Sequence, residues 1–262
     1  MWNLADDSLV QEFAPTFTVY STAISADGST FALGAFDHVQ LYNLNAGYGP
    51  YLMPELFLGG DFGSEYHTIV LNTDATRLIA ADSAHNAYVW DTATGQEIAR
   101  LDGYGEAAAV GFSPDGSRVA VAGDYGLRGE HQVNVIDLAT YTTELTLDSM
   151  FTGRINAVMF STDGEIIMAT SSVGVETWDA TSGERLFRVP GSLYYGQSMA
   201  LSDDDVWLAL AVDMTTPPIS LWRIDGESPE QEEELEESVR ANSVTFGHTT
   251  DGELLLAAGG DG

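Results

Sequence analysis

The sequence contains neither cysteine nor lysine among its 262 residues. Without cysteine, the chain can form no disulfide, no thiolate metal site and no cysteine nucleophile. All nine basic residues are therefore arginine; against 40 acidic residues they give a formal net charge of -31. A surface this negative repels nucleic-acid phosphates and anionic lipid headgroups, so the prediction is no nucleic-acid and no membrane partner. Two explanations stay open: a basic protein partner, or an acidic surface adapted to high salt.

Long apolar runs are lacking too, since none approaches the roughly 20 residues that a membrane helix requires. The first seven residues have neither the basic nor the apolar region of a signal peptide, which favours a cytoplasmic location. What the chain does contain is a 44% hydrophobic and 19% charged composition, enough apolar side chains to bury a core. Its length fits one large all-β domain.

One marker recurs along the whole chain: a large apolar residue followed by Asp or Asn. Its occurrences are Trp2-Asn3, Tyr42-Asn43, Trp90-Asp91, Ile136-Asp137 and Trp178-Asp179, and then Trp222-Arg223 without the acid. Successive markers are 40, 48, 46, 42 and 44 residues apart. A repeat of this length indicates a solenoid or a propeller.

A second marker runs in phase with the first. It is an aspartate, usually followed by glycine, at positions 27, 74, 115, 163, 204 and 251. Asp-Gly between two apolar runs predicts a tight hairpin, and a type I′ turn would need positive φ at both central residues. Each repeat therefore begins with two strands joined by this turn.

Four strands can be assigned to each repeat. Ile155–Phe160 and Ile166–Ala169 flank one Asp-Gly turn and are almost continuously apolar, as in strands buried on both faces. A third run, Val175–Trp178, ends at the marker, and a fourth, Glu184–Val189, alternates with charge as an outer strand does. Four strands with polarity increasing toward the fourth are typical of a propeller blade.

These motifs resemble the WD40 repeat family over essentially the whole chain. Trp90-Asp91-Thr92-Ala93-Thr94-Gly95 is similar to the end of the family's third strand and its turn, and Phe112-Ser113-Pro114-Asp115-Gly116 to its first hairpin. The Gly-His dipeptide that opens a WD40 repeat is absent, so these are degenerate repeats. The resemblance does not carry the family's buried His-Asp-Ser-Trp network over to this chain.

The predicted fold is all-β: a six-bladed β-propeller of four-stranded antiparallel blades, one blade split between the N- and C-termini. The blades are expected at about residues 17–58, 64–101, 106–148, 154–189, 196–237, and 242–262 plus 1–13. The acidic segment 228–237 reads locally as a helix start, but blade counting favours an outer strand near Glu232–Glu237. Two origins stay open, a closed ring with a divided blade or part of a longer array of repeats.

No set of catalytic groups is apparent, and the five histidines fall at different phases of the repeat without metal-ligand spacing. We therefore predict no enzyme, no catalytic residue, no metal and no cofactor. The leading hypothesis is a scaffold that binds a protein or peptide on the face formed by the loops between blades, as a monomer or within a longer chain. The binding candidates are Phe62, Tyr66, Tyr104, Phe151, Arg154, Tyr194 and Tyr195.

Three alternatives stay open beside that hypothesis. The same aromatic residues could pack between neighbouring blades instead of binding a partner. A propeller enzyme or small-ligand binder at the channel mouth would need converging carboxylates, for which Asp61, Glu65, Asp102 and Glu106 are the candidates. The chain could also be a structural part of a larger multidomain WD40 protein.

Overall fold

Strands follow one another along the chain, and within each sheet every strand pairs antiparallel with the next. The computed structural model describes residues 2–3, 8–9, 17–46, 56–59, 65–83, 86–101, 106–124, 131–150, 155–171, 173–190, 196–212, 219–225, 228–235, 241, 243–248 and 252–259. Apart from one turn of 3-10 helix at Leu44–Ala46, the elements of this part of the chain are β-strands. They form five four-stranded and two two-stranded antiparallel sheets, which confirms the predicted all-β propeller class.

Five complete blades account for most of the strands. Blade 1 consists of β3 to β6, at Ser21–Ile24, Thr30–Gly34, His38–Asn43 and Leu56–Gly59. Blade 2 consists of β7 to β10, at Tyr66–Leu71, Arg77–Asp82, Ala87–Asp91 and Glu97–Leu101. Blade 3 consists of β11 to β14, at Glu106–Phe112, Arg118–Asp124, His131–Asp137 and Thr142–Asp148.

The remaining two complete blades have the same order. Blade 4 consists of β15 to β18, at Ile155–Phe160, Ile166–Ser171, Gly174–Asp179 and Arg185–Pro190. Blade 5 consists of β19 to β22, at Gly196–Leu201, Trp207–Val212, Ile219–Arg223 and Glu230–Leu235. The acidic segment is thus an outer strand, as residue counting predicted.

Two hairpins, one from each end of the chain, correspond to the two halves of the sixth blade that the sequence predicts. They are β1 and β2, at Trp2–Asn3 and Ser8–Leu9, and β23 and β24, at Ser243–His248 and Leu254–Gly259. Trp2 lies opposite Leu9, seven residues on, as Trp178 lies opposite Arg185 in blade 4. The N-terminal hairpin therefore pairs like the third and fourth strands of a blade. In the described residues, no strand pairing joins the two hairpins into one sheet.

The first turn of each repeat differs from the predicted type I′ turn. In blade 1 the amide of Gly28 donates to the carbonyl of Ser25, and the amide of Ser25 donates to that of Thr30. The residue after the aspartate, fourth in the turn, has positive φ, at 70° for Gly28 and 56° for Ala75, while the preceding aspartates do not. The loop is therefore two residues longer than predicted, with a single left-handed residue before the second strand.

Aspartate side chains stabilise two kinds of turn, the one between the first and second strands and the one between the third and fourth strands. The carboxylate of Asp115 accepts hydrogen bonds from the Ser113 hydroxyl and from the amide and hydroxyl of Ser117. The marker aspartate Asp91, at the end of a third strand, accepts from the amide and hydroxyl of Thr94. Both markers recur because most of these turns use an aspartate oxygen to fix the backbone, as in Asx-turns, and in blade 1 the side-chain oxygen of Asn43 takes this role.

The core lies between consecutive blades. The marker residue Trp178 is buried with Val133 and Val135 of blade 3, and its indole N–H donates to the carbonyl of Asp148, at 3.2 Å. Trp90 and Trp222 are buried against the preceding blades in the same way, whereas Trp207 is only half buried. Trp90, Trp178 and Trp222 therefore each pack their blade against the one before it.

A polar residue stands two positions before each marker, inside this apolar interface. These residues are Gln40, Tyr88, Asn134, Glu176 and Ser220. Each has a hydrogen-bond partner; the carboxylate of Glu176 accepts from the amide of Met150 in blade 3, at 3.1 and 3.3 Å.

Strand β24 stands apart from the other second strands. Its apolar residues Leu254 and Leu255 are 38% and 49% exposed, while Leu208 and Ile167 in the equivalent strands are completely buried. The pairing of this hairpin is also shifted by one residue. His248 lies opposite Leu254, whereas Phe160, at the equivalent position of blade 4, lies opposite Ile167, the equivalent of Leu255. A one-residue slip turns side chains to the opposite face, and so Leu255 faces outward.

Candidate interaction face

The loop face is the end of the propeller that carries the connections between blades and the turns between second and third strands. These segments share one end because consecutive antiparallel strands alternate in direction. In blades 1 and 2 it includes Tyr20, Phe36, Asp37, Glu65 and Ser83. The sequence-based hypothesis placed the binding site on this face.

Of the seven predicted binding residues, the structure describes only Tyr66. Its side chain is completely buried in the first interface between blades. Its ring packs at 6.0 Å between centroids from both Tyr88 and Trp90, which are themselves stacked at 5.2 Å. Tyr66 therefore has the packing role that was the alternative for these aromatics. It offers no surface to a partner.

The other six predicted binding residues lie outside the described residues: Phe62, Tyr104, Phe151, Arg154, Tyr194 and Tyr195. Met150, next to Phe151, is described; it is 60% exposed, with its backbone held by Glu176. The connection into blade 4 thus presents at least one large apolar side chain on the loop face. The six residues themselves stay candidates.

Glu65 is the centre of a group of side chains that sequence reasoning did not assemble. The Tyr20 hydroxyl donates to Glu65 Oε1, at 2.9 Å. His67 Nε2 lies 3.2 Å from Glu65 Oε2, and its ring meets that of Tyr20 edge to face at 5.4 Å between centroids. The hydrogen bond to the carboxylate raises the pKa of Tyr20 above its usual value. The Glu65 carboxylate therefore lies close to two aromatic rings.

Phe36 completes this group, which we call the Glu65 patch: Tyr20, Phe36, Glu65 and His67. The side chain of Phe36 is 48% exposed at the turn between β4 and β5, and its backbone forms a β-bridge with Glu65. The next residue, Asp37, has a φ of 64°, so the turn is tight and left-handed. This geometry holds an aromatic side chain outward beside a carboxylate.

Close backbone approach positions the patch. A Cβ at Gly34 would lie 2.5 Å from Ser21 Oγ and 2.9 Å from the carbonyl oxygen of Tyr66, so only glycine fits. That space is filled by the Ser21 hydroxyl donating to the Tyr66 carbonyl, at 2.9 Å, while the Tyr66 amide donates to Ala35. Blades 1 and 2 are thus joined by backbone contacts directly beneath Phe36 and Glu65.

A polar chain in blade 1 leads from the loop face into the core. His38 Nδ1 lies 2.8 Å from the Asp37 carboxylate, and His38 Nε2 lies 2.9 Å from Gln40 Nε2. The buried Tyr42 hydroxyl then donates to Gln40 Oε1, at 2.6 Å. The Gln40 amide donor requires His38 Nε2 to accept, which places the proton on Nδ1 toward Asp37. This chain orients His38 beside the patch and adds no group that reaches into it.

Of the four candidate catalytic carboxylates, the structure describes the side chain of Glu65 alone, and Tyr20 and His67 engage it. Asp61, Asp102 and the side chain of Glu106 lie outside the described residues. Within the described part of the chain, no group of three or more His, Cys, Asp or Glu residues could hold a metal ion. That part also has no helix long and apolar enough to cross a membrane.

The opposite face carries the aspartate turns. A cleft of about 360 Å³ lies there between blades 2 and 3, lined by Asp74, Arg77, Asp115 and Asp137 among others. The Ser113 and Ser117 hydrogen bonds lower the pKa of Asp115 to about 2, and bonds to Thr76 and Thr140 lower those of Asp74 and Asp137. Each carboxylate accepts from its own turn, so these groups serve the fold.

Comparison with known proteins agrees with the architecture. No protein-family model matches the chain. Autophagy-related protein 16 from Arabidopsis thaliana is 29% identical over 178 residues, which cover 67% of this chain and 32% of that protein. The match thus spans about a third of the length of that relative.

Among solved structures, a chain in "Crystal Structure of Mitotic Checkpoint Complex" superposes with a TM-score of 0.82 at 16% sequence identity. The superposition covers 99% of this chain and 77% of the other. The protein has a WD40-like propeller fold. At this identity, the structural likeness concerns the fold alone.

Proposed function

We propose that this propeller is a non-enzymatic scaffold that binds a protein or peptide on its loop face, at the Glu65 patch. The observation that carries the proposal is the exposed ring of Phe36 beside the Glu65 carboxylate. Aromatic side chains at the centre of a protein interface contribute a large share of the binding free energy. Backbone contacts between blades 1 and 2 hold the ring in place, which limits the entropy lost on binding.

Two further observations support a binding role. Met150 places a second exposed apolar side chain on the same face, next to the candidates Phe151 and Arg154. The compared structure is a complex by its title, which fits a propeller used in protein assembly. The other predicted residues, Phe62, Tyr104, Tyr194 and Tyr195, stay part of the proposed surface.

Site-specific photo-crosslinking tests the proposal without knowledge of the partner. A photoreactive phenylalanine analogue replaces Phe36 in one variant and Leu186 in a matched control. Leu186 is 47% exposed, close to the 48% of Phe36, but lies on the outer strand β18 of blade 4. After irradiation in a cell extract from the source organism, we expect a discrete protein adduct from position 36 that unlabelled wild-type protein prevents by competition.

Equal adducts from positions 36 and 186 would mean that the loop face has no special role, and would overturn the proposal. A triple substitution of Tyr104, Phe151 and Tyr195 by alanine then tests the wider surface. We expect it to reduce the adduct at position 36 while leaving the unfolding temperature within a few degrees. An unchanged adduct would remove those three residues from the proposed surface.

A further inference from the structure

We propose that the Glu65 patch recognises an arginine side chain presented by a basic partner segment. This inference rests on the proposed binding function and adds the chemistry of the partner. It concerns a position of the loop face for which neither the WD40 resemblance nor the compared proteins indicate a ligand.

The negative net charge of the protein favours a positively charged partner. With 40 acidic and nine basic residues, the protein attracts cations from a distance and repels anionic partners. Among the described arginines, Arg77 lines the cleft on the opposite face, and Arg100 is engaged with Tyr88 through a hydrogen bond and a ring contact. The Glu65 patch therefore combines a carboxylate and three rings without a built-in arginine of its own among the described residues.

The bonding of Glu65 leaves room for another donor. Tyr20 donates to Oε1 and His67 lies near Oε2, while a carboxylate can accept about four hydrogen bonds. The carboxylate is partly exposed, so an incoming donor can reach it from solvent. Its two existing neighbours fix its orientation, so that the plane of the carboxylate is set before a partner arrives.

The rings around Glu65 favour arginine over lysine. A guanidinium is flat, stacks on aromatic rings and donates two parallel hydrogen bonds to one carboxylate, whereas an ammonium group is a compact, strongly hydrated charge. Phe36 is 48% exposed, and the rings of Tyr20 and His67 meet edge to face beside Glu65. The protein already shows this chemistry internally: the guanidinium carbon of Arg100 lies 4.7 Å from the centre of the Tyr88 ring.

Binding of short labelled peptides tests the proposal by fluorescence anisotropy. The probes alternate glycine with arginine, with lysine, or with citrulline, which keeps the shape of arginine without its charge. Because a protein of net charge -31 attracts any cation, the controls must change charge equally elsewhere. Glu65→Gln is therefore paired with Glu184→Gln at an exposed turn of blade 4, and Phe36→Ala with Leu186→Ala.

We expect the arginine peptide to bind most tightly and the citrulline peptide least. Glu65→Gln and Phe36→Ala should each weaken the arginine peptide by about two- to fivefold, the range for a partly exposed ion pair or cation–π contact. The control variants should stay within about 1.5-fold, since they change only the long-range field. Circular dichroism melting verifies that all four variants remain folded.

Two results would overturn the inference. One is equal sensitivity of the patch and control variants, which would mean that arginine binds by general attraction. The other is equal affinity for arginine and lysine peptides, which would remove the stacking argument. If position 36 still crosslinks to a partner protein in either case, the scaffold function stands and only the arginine chemistry fails. If crosslinking and peptide binding both fail, the proposed function fails as well.

Discussion

Two glycines at equivalent positions of the repeat allow a matched test of packing between blades. Gly111 in β11 and Gly247 in β23 each lie four residues before the aspartate of the first turn. A Cβ at Gly111 would lie 2.8 Å from the carbonyl oxygen of Val158 in blade 4, whereas a Cβ at Gly247 would meet nothing within 4 Å. Neither glycine has a positive φ, so alanine causes no backbone strain at either site.

The magnitudes follow from these contacts. In Gly111→Ala the Val158 carbonyl must move by about half an ångström in a close-packed interface, and such overpacking costs about 1–3 kcal/mol. The loss of unfolded-state entropy offsets about 0.4–1 kcal/mol of that. A net loss of about 1–2 kcal/mol corresponds to a fall in Tm of about 2–8 °C for a domain of this size. In Gly247→Ala only the entropy term remains, so we expect an unchanged or higher Tm.

Thermal and urea unfolding, followed by circular dichroism, measure both variants against the wild type. A Gly111→Ala variant as stable as the Gly247→Ala variant would refute the packing argument. A loss of stability in Gly247→Ala equal to that in Gly111→Ala would be informative in another way. It would mean that a neighbouring backbone also restricts a side chain at position 247.

Three further predictions concern charge and buried polar groups. Turn hydrogen bonds lower the pKa of Asp27 and Asp115 to about 2, from the usual 3.8. Their contribution to stability is therefore complete above pH 3.8 and is lost as the pH falls toward 2. The urea midpoint of unfolding should fall over the same pH range, and it should fall less steeply in Asp115→Asn. Identical pH profiles for this variant and the wild type would contradict the prediction. Glu176→Ala leaves the Met150 amide without its acceptor and should cost about 1–3 kcal/mol of unfolding free energy, while Glu176→Gln keeps an acceptor and should cost less. Equal losses in urea unfolding would exclude that role. Because the Debye length shortens from about 10 Å at 0.1 M to about 3 Å at 1 M salt, sodium chloride should raise the Tm by screening the charge of -31, and a Tm independent of salt would argue against self-repulsion.

Much of the candidate site could not be predicted from the sequence. Tyr66 and Phe36 are both aromatic residues at the ends of connecting segments, yet one is completely buried and the other is 48% exposed. The difference depends on how closely blades 1 and 2 approach at Gly34, a contact between residues far apart in the chain. Glu65 was considered only as a possible catalytic carboxylate. The sequence does place Phe36-Asp37 in a turn on the loop face, where Glu65 also lies, but nothing in the sequence indicates that the two are neighbours.

The fold class, the order of strands within each blade and the positions of the turns were determined by the sequence by itself. Alternating or continuous apolar runs define strands locally, and an aspartate or asparagine oxygen fixes most of the marker turns within a few residues. Only the tertiary structure decided the turn geometry, with one left-handed residue where two were predicted, and the slipped pairing of β23 with β24. The tertiary structure also decided which aromatic rings face the solvent. Burial depends on the surface of the neighbouring blade, and that surface comes from residues about 40 positions away in the chain.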